Sequence, residues 1–385
     1  MKRGTTGLYD KTRFAGEEIR AFVPQALPPD PPLELTHQRQ RLLERATLSL
    51  GRLDSITLLL PDPDLFLYMY IRREAVLSSQ IEGTQSSLAQ LLLFELEEAP
   101  GVPFDDVVEV SNYVAALNHG LKRLQEGFPL SNRLLREMHA ELLSRGRGSE
   151  KSPGEYRQTQ NWIGGTRPGN AHYVPPPPHQ VEPCMAALER FLHNENNPYP
   201  GLLKAALVHV QFETIHPFLD GNGRVGRLLI AFILHHDGLL SQPLLYLSLY
   251  LKQHRSEYYR LLDLVRSDGD WETWIDFFLE GVEETASNAI ETARRLVHLF
   301  QKDEQKIKSL GRKASTALRV FRVFCDRPLI TLNQIGERTG LSFPAVTKGT
   351  QALEKIGIVR EITGRRRNRV FAYQSYLEIL SEGTV

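Results

Sequence analysis

The chain has 385 residues, its 46 lysines and arginines are matched by 46 aspartates and glutamates, and 41% of it is hydrophobic. That length has room for two or three domains with a sizeable core, and the balanced charge excludes an overall field directed at nucleic acid or membrane. The only two cysteines, Cys184 and Cys325, lie in separate regions, which gives neither a disulfide framework nor a metal cluster and suits a reducing cytoplasm. The Met1-Lys-Arg start lacks the apolar stretch of a signal peptide, and the longest wholly apolar run, 228–234, is far short of a membrane span. A cytoplasmic protein without a membrane partner is expected.

Residues 1–34 read as an irregular arm, closed by Leu27-Pro-Pro-Asp-Pro-Pro32, whose prolines favour extended backbone and cannot join a helix. Helices are predicted over 35–60 and 64–82, the second opening after Asp62-Pro-Asp64 with a cap-like acid. The second ends in Ser78-Ser-Gln-Ile-Glu82-Gly83. There Ser78 and Glu82, four apart, share one helix face, and Gly83 suits the left-handed position that closes a helix. Further helices are predicted over 84–98, over 105–125, and from the capping Ser131 through 143, where Leu134, Leu135, Met138 and Leu142 mark the core face. After a glycine-rich loop at 146–154, two short extended segments containing Ile163 and Tyr173-Val174 flank 164–170, and a β-hairpin is predicted over about 161–176.

A buried helix over 202–215, with Leu203, Ala206, Leu207, Val210 and Phe212 at helical spacing, leads into His216-Pro-Phe-Leu-Asp220-Gly-Asn222-Gly-Arg224-Val-Gly-Arg227. A second apolar helix follows, with the arginines in its first turns. No packing requirement asks for a base, a carboxylate, three glycines, an amide and two arginines in twelve residues. A helix N-terminus preceded by glycines aims free N–H groups and the positive end of the helix dipole at one spot, which wants an anion. Glycine lets a phosphate touch the backbone, the guanidiniums can hold phosphate oxygens by forked hydrogen bonds, and Asp220 is well placed for Mg2+. His216 adds a group that titrates near neutrality, so the direct reading is a nucleotide-handling site with its own general base. The spacing Gly221-x-Gly223-x-x-Gly226 also satisfies the dinucleotide fingerprint, but that fingerprint needs a preceding strand and a parallel sheet, and the context here is helical on both sides.

Beyond the motif, a helix is predicted over 252–265 with the pair Tyr258-Tyr259, then a long amphipathic helix over 271–300 with Trp274, Phe277, Phe278 and Val282 inward. The charged stretch 301–308 reads as a stalk and 301–312 as a linker. The last residues, 313–385, follow the order helix, helix, turn, helix, strand, strand, which resembles a winged helix-turn-helix with Pro344 in the first turn of the third helix. Its wing carries five arginines between Arg360 and Arg369 against one glutamate, so Arg365, Arg366 and Arg367 are candidate DNA contacts. The third helix offers Thr347, Lys348 and Gln351 as base readers, and a protein-binding or structural role for this unit is weighed equally.

The twelve-residue stretch resembles the signature of the Fic family, His-x-Phe-x-(Asp/Glu)-Gly-Asn-Gly-Arg-x-x-Arg, and matches it at every defined position. The resemblance covers roughly 35–300. It implies a mainly α fold, a Fic-type helical bundle with a β-hairpin flap, and an activity that moves AMP from ATP to a Ser, Thr or Tyr hydroxyl of a target protein, with Mg2+. His216 would deprotonate that hydroxyl and Asp220 would hold the metal ion. Gly221, Asn222, Gly223, Arg224, Val225, Gly226 and Arg227 would form the ATP-binding turn, with Tyr259 against adenine. Gly223 stands where the phosphotransferase branch carries lysine, which favours AMP transfer.

The pattern Ser78, Glu82, Gly83 resembles the family's inhibitory helix. By that resemblance Glu82 would pair with Arg227 and occupy the guanidinium needed by the ATP γ-phosphate. The flap residues Ile163, Tyr173 and Val174 would register the target segment. The expected organisation is an arm at 1–34, an N-terminal helical region at 35–104, a catalytic core at 105–300, the linker, and the winged unit. Removal of AMP by water at the same site is compatible with this reading. The alternative is a winged-helix DNA-binding regulator with a sensory or inactive Fic domain, and the sequence leaves monomer and homodimer both open.

Overall fold

The computed structural model describes residues 3–14, 16–59, 63–96 and 104–384. The chain forms two compact units. One comprises 1–54, 77–85 and 104–286, and the other 55–76, 86–103 and 287–385.

The first unit opens on a hairpin, β1 (Gly7–Phe14) and β2 (Glu17–Pro24), paired antiparallel from Gly7↔Pro24 to Phe14↔Glu17. The irregular arm expected over 1–34 is therefore corrected for the part before Gln25. Along β2 the apolar Ile19, Ala21 and Phe22 are buried while Glu18 and Arg20 face solvent, an incomplete alternation obscured by the charged residues of β1. Helix α1 (His37–Leu59) follows, and α2 (Pro63–Ile81) passes through both segments that the units share out. Helix α3 (Leu88–Glu95) is shorter than the expected 84–98, because Ser87 and Gln90 form a capping box that fixes its start.

Helices α4 (Phe104–Gln125), α5 (Asn132–Leu142), α6 (Pro178–Leu192), α7 (Gly201–Ile215) and α8 (Asn222–His236) make the body of the first unit. Every residue of α7 from Leu202 to Ile215 is buried except Lys204, so this helix is the centre that the others surround. The helix expected over 252–265 is two helices, α9 (Ser248–Gln253) and α10 (Arg255–Asp268), broken at His254. Helix α11 then runs unbroken over Trp271–Lys308, with Trp274, Phe277, Phe278 and Val282 buried as expected. Of the segment expected as a linker, 301–308 is the end of this helix. There Ile307 is fully buried and Asp303 accepts the hydroxyl of Tyr373 at 2.7 Å.

In the second unit, α12 (Ala314–Asp326), β3 (Leu329–Thr331), α13 (Leu332–Thr339), α14 (Phe343–Lys355), β4 (Arg360–Glu361), β5 (Val370–Ala372) and α15 (Gln374–Ser381) follow in order. The strands form an antiparallel sheet in the order β3-β5-β4. Thr331 caps α13 with a capping box to Gln334, and Gly340 closes it in the left-handed conformation. Strand β3 and helix α15 were not anticipated. The core gathers Phe300, Phe321, Tyr373 and Tyr376, with ring centroids 5.1 Å apart for Phe300 and Tyr376 and 5.7 Å for Phe321 and Tyr373. Tyr68 joins the same unit: it donates to Glu95 at 2.8 Å, and the guanidinium of Arg327 lies 3.5 Å from its ring centre. No described helix is long and apolar enough to cross a membrane.

Candidate active site

The site forms where α7 stops and α8 starts. His216 takes a left-handed conformation, φ 50° and ψ 60°, as its N–H still donates to Phe212, and Pro217 forbids a further turn. Gly221 takes φ 76° and begins α8, which no side chain caps, so its first-turn N–H groups are left for a ligand.

Three side chains that sequence reasoning passed over hold this turn. Arg157, 1% exposed, donates from Nε to the His216 carbonyl at 2.9 Å and from Nη2 to Pro176 at 2.5 Å. His139 receives the Gly154 N–H on Nδ1 at 2.8 Å, which leaves Nε2–H to donate to the Asp220 carbonyl at 3.0 Å, and its ring stacks on Phe218 at 3.8 Å. His209, inside α7, lies 3.0 Å from the Gly226 carbonyl and 2.9 Å from the Tyr258 hydroxyl, which fixes α8 against α7 and α10. Asn222 is also a strut: Oδ1 accepts from the Phe218 N–H at 2.8 Å and Nδ2 donates to the Phe218 carbonyl at 2.9 Å. Its side-chain amide thus shapes the loop that the resemblance makes part of the ATP-binding turn.

The two motif arginines differ. Arg224 is buried with Glu109 of α4, each side chain 2% exposed, at 2.6 Å, and reaches Asp220 at 3.3 Å. Arg227 donates from Nε to Ser78 Oγ at 2.8 Å, and from Nη2 to the Ser78 carbonyl at 3.0 Å and to Glu82 Oε1 at 2.8 Å. Glu82 keeps a third of its side chain exposed. A Cβ on Gly223 would lie 2.3 Å from Glu82 Oε1 and 3.0 Å from Arg227, so only glycine lets that carboxylate rest over the start of α8. Glu82 therefore stands where the turn wants an anion. Burial pushes its pKa up, but the charge and hydrogen bond of Arg227, helped by Arg224 and His216, hold it below the ordinary carboxylate value. The end of α2 brings Ser78 and Glu82 together with Arg227, and Gly83 closes the segment at φ 98°.

His216 is half-buried, and burial together with the nearby Arg157 lowers its pKa to about 4, so its imidazole is neutral at pH 7 and able to accept a proton. Glu213, one turn earlier, is buried against Gly226 and Arg227, and burial raises its carboxyl to about 7. A carboxylate inside a largely apolar helix was the one sequence signal that could have drawn notice to it. Asp220 is the motif loop's own carboxylate, 37% exposed, with Oδ1 accepting the Gly221 N–H at 2.6 Å. The described residues hold no group of three or more metal-ligating side chains. A single open carboxylate beside an anion site nonetheless fits Mg2+, which is commonly held by one or two carboxylates and the substrate's phosphates.

The segment expected as a flap is slighter than a hairpin of two strands. Ile163 and Tyr173 form one antiparallel bridge, and a short 3-10 turn, Pro168–Asn170, lies between them. Ile163 is half-buried, while Tyr173 and Val174 are buried, the Tyr173 hydroxyl donating to the Thr214 carbonyl at 2.6 Å. Tyr173 and Val174 thus anchor the flap to the body. Tyr259 is 39% exposed, and Glu82 and Arg227 both act electrostatically on its hydroxyl, so it stands at the rim of the site; its neighbour Tyr258 is the buried one. In the second unit Arg365, Arg366 and Arg367 are exposed between β4 and β5.

His139 and His209 carry a pH dependence. Both are fully buried, and burial lowers each to about 4. The unfolded chain takes up their protons near pH 6.5 and the folded chain only near 4, so their stability contribution is present above 6.5 and is lost as pH falls through 4. Each loss amounts to roughly 3 kcal/mol. Glu213 acts in the opposite sense, its contribution fading as pH rises from the ordinary carboxylate range through about 7. The melting temperature should fall between pH 6.5 and 4.5, and His209→Gln should flatten that slope while lowering stability at pH 7.5.

The comparisons with known proteins agree with this geometry. Residues 40–122 match the model of the Fic/DOC family N-terminal domain and residues 129–234 that of the Fic/DOC family. The chain is 31% identical over 208 residues to "Protein adenylyltransferase Fic" of Drosophila grimshawi, which is 53% of this chain and 40% of that protein. It is 30% identical over 209 residues to the Drosophila melanogaster protein of the same name, 53% of this chain and 39% of that protein. The chain thus spans about two fifths of the length of these relatives. Among solved structures, a Fic family protein from Desulfovibrio desulfuricans G20 superposes over 89% of this chain and 97% of its own, with a TM-score of 0.58 at 22% identity. Fic-1 from C. elegans superposes over 66% of this chain and 73% of its own, with a TM-score of 0.52 at 22% identity, and these two likenesses concern the fold. On the matched domains, the motif and the shared fold, this chain belongs to the Fic/DOC family.

Proposed function

We propose that this chain is an autoinhibited protein adenylyltransferase that moves AMP from ATP to a Ser, Thr or Tyr hydroxyl of a protein. The observation that carries this is the placement of Glu82: a carboxylate rests over the uncapped turn of α8 and is bound to Arg227, in the place suited to a phosphate. In the reaction, neutral His216 takes the proton of the target hydroxyl, that oxygen forms a bond to the α-phosphorus, and the bond to the β-phosphate bridging oxygen breaks to release pyrophosphate. The first-turn N–H groups of α8 and Arg227 hold the phosphates as charge moves to the leaving group. Asp220 would hold Mg2+, which neutralises phosphate charge when bound. Arg224, paired with the buried Glu109, supports Asp220 from behind. Water in place of the hydroxyl would return AMP from a modified protein by the same groups, with Glu82 orienting the water.

The reading is tested by incubating the native chain and Glu82→Gly with a cell lysate and either α-labelled or γ-labelled ATP. Only the α label should reach protein, and more of it with Glu82→Gly. Transfer of the γ label would replace the reading with phosphotransfer.

A second role rests on the exposed basic wing and on Lys348 and Gln351, exposed along α14. We propose that the second unit is a winged helix that contacts duplex DNA through Arg365, Arg366 and Arg367. Replacing all three by alanine should remove about three phosphate contacts and flatten the salt dependence of binding accordingly. No binding of the native chain to duplex DNA at low salt would remove this role.

A further inference from the structure

The hairpin β1–β2 has no part in the chemistry above, yet its contacts converge on the flap. At its base, the Gly4 N–H donates to the Asp268 carbonyl at 3.0 Å and the Thr6 N–H to Arg266 at 3.1 Å, which fastens it to the end of α10. Gln211 of α7 donates to the Gln25 carbonyl at 2.8 Å, just beyond β2. Midway, the Phe22 N–H leaves its own hairpin and donates to the Val174 carbonyl at 2.9 Å, so β2 lies along the second flap segment. Ile19, Ala21 and Val174 form one buried cluster, with Trp162 and Ala171 packed against it. At the tip, Glu17 Oε2 accepts the Gly169 N–H at 3.2 Å, while Oε1 pairs with Arg167. The flap itself has one bridge and a six-residue span of Gly, Thr, Arg and Pro between 164 and 169, too little to fix its own position.

Two further tethers of the flap lead back to the same helix. Arg266 lies 3.9 Å over the Tyr173 ring, and His172 meets Asp263 at 2.5 Å, both from α10. The base of the hairpin and the outer flap segment are thus fastened to one rigid helix, and the hairpin spans from there to the tip of the flap. Eight paired residues in each strand make it stiff enough to bear on that tip.

We propose that the N-terminal β-hairpin is the clamp that holds the flap in the geometry that accepts a target polypeptide, with Glu17 as its positioning residue. This rests on the reading of 161–176 as a target-docking flap. Glu17 touches neither nucleotide nor reacting atoms. Loss of its two contacts frees the flap tip, and a target hydroxyl is then presented to His216 less often, while the ATP-binding turn of α8 is untouched.

The test uses the full chain carrying Glu82→Gly, alone and with Glu17→Ala, Glu17→Gln or Arg167→Ala. Hydrogen exchange at the His172 and Tyr173 amides, both bonded to the Ile163 carbonyl, should speed up about ten-fold in Glu17→Ala. Glu17→Gln, which keeps an acceptor for the Gly169 N–H, should lie nearer the parent, and Arg167→Ala should act from the flap side of the same contact. Labelling of lysate proteins from α-labelled ATP at saturating ATP should fall about five-fold, with the ATP concentration for half-maximal labelling unchanged. Unchanged exchange in Glu17→Ala and Arg167→Ala overturns the clamp, and so does an equal rise in the ATP requirement. If the Glu82→Gly parent labels nothing, the adenylyltransferase reading fails, and the exchange data still decide whether the hairpin holds the flap.

Discussion

Replacing Glu82 by glycine is expected to raise AMP transfer from α-labelled ATP by about 10- to 100-fold, the factor that corresponds to a pair worth roughly 1.4–2.8 kcal/mol. The carboxylate and the nucleotide phosphate compete for one place. Glu82 Oε1 sits 2.8 Å from Arg227 Nη2 and over Gly223, so nucleotide phosphate and Glu82 carboxylate require the same guanidinium and the same N–H groups. While Glu82 is bound, the site competent for ATP is only a small fraction of the population, and the apparent affinity is lowered by that fraction. Removing the carboxylate also leaves Arg227 buried with one charge partner fewer. Glu82→Gly should therefore unfold more easily by about 1–3 kcal/mol, discounted because a third of Glu82 is exposed. ATP should restore much of that stability by binding the folded state. A variant as active as the native chain, with unchanged melting temperature, would show that the pair does not restrain the site.

His216→Ala in the same background should lower transfer by about 10²–10⁴-fold while ATP affinity stays within a factor of two, as expected when a general base is lost and positioning is kept. The imidazole projects from a residue that Arg157 and the Phe212 carbonyl fix through the backbone, so alanine should leave the loop intact. The pH profile gives a second readout. The accepting form is the neutral one, present above a pKa of about 4, so activity should stay flat from pH 8 down to about 5.5 with respect to His216 and decline below that. Glu82 raises the pKa of His216, so Glu82→Gly should move the acid limb lower still. Unchanged ATP affinity with full transfer by His216→Ala would assign the base elsewhere, and Glu213 would be the nearest buried carboxyl to examine.

The helices that carry the site were legible because each signal was local and redundant. Ser131 was a cap, α7 and α8 were apolar runs, and Pro217 and Gly221 marked the break between them. The Glu82–Arg227 contact was legible only through the family resemblance, since 145 residues separate the partners. The supports were not legible at all. Arg157, His139, His209 and Glu109 look like ordinary polar residues along the chain, and become necessary only when folding brings an unpaired carbonyl or guanidinium against them. The hairpin failed for a different reason: β1 reads Leu-Tyr-Asp-Lys-Thr-Arg, too charged for a strand by composition, with Leu8 and Tyr9 both exposed. Its pairing is stabilised by β2 and the flap, which no local window contains.

The most direct measurement is the intact mass of the Glu82→Gly chain and of lysate proteins after incubation with ATP and Mg2+, followed by fragmentation to locate the change. A gain of one AMP on a Ser, Thr or Tyr oxygen, absent when His216→Ala is added, is the predicted result. A gain of phosphate alone, or of AMP that persists without His216, would contradict the assignment of the turn between α7 and α8 as an adenylyl-transfer site.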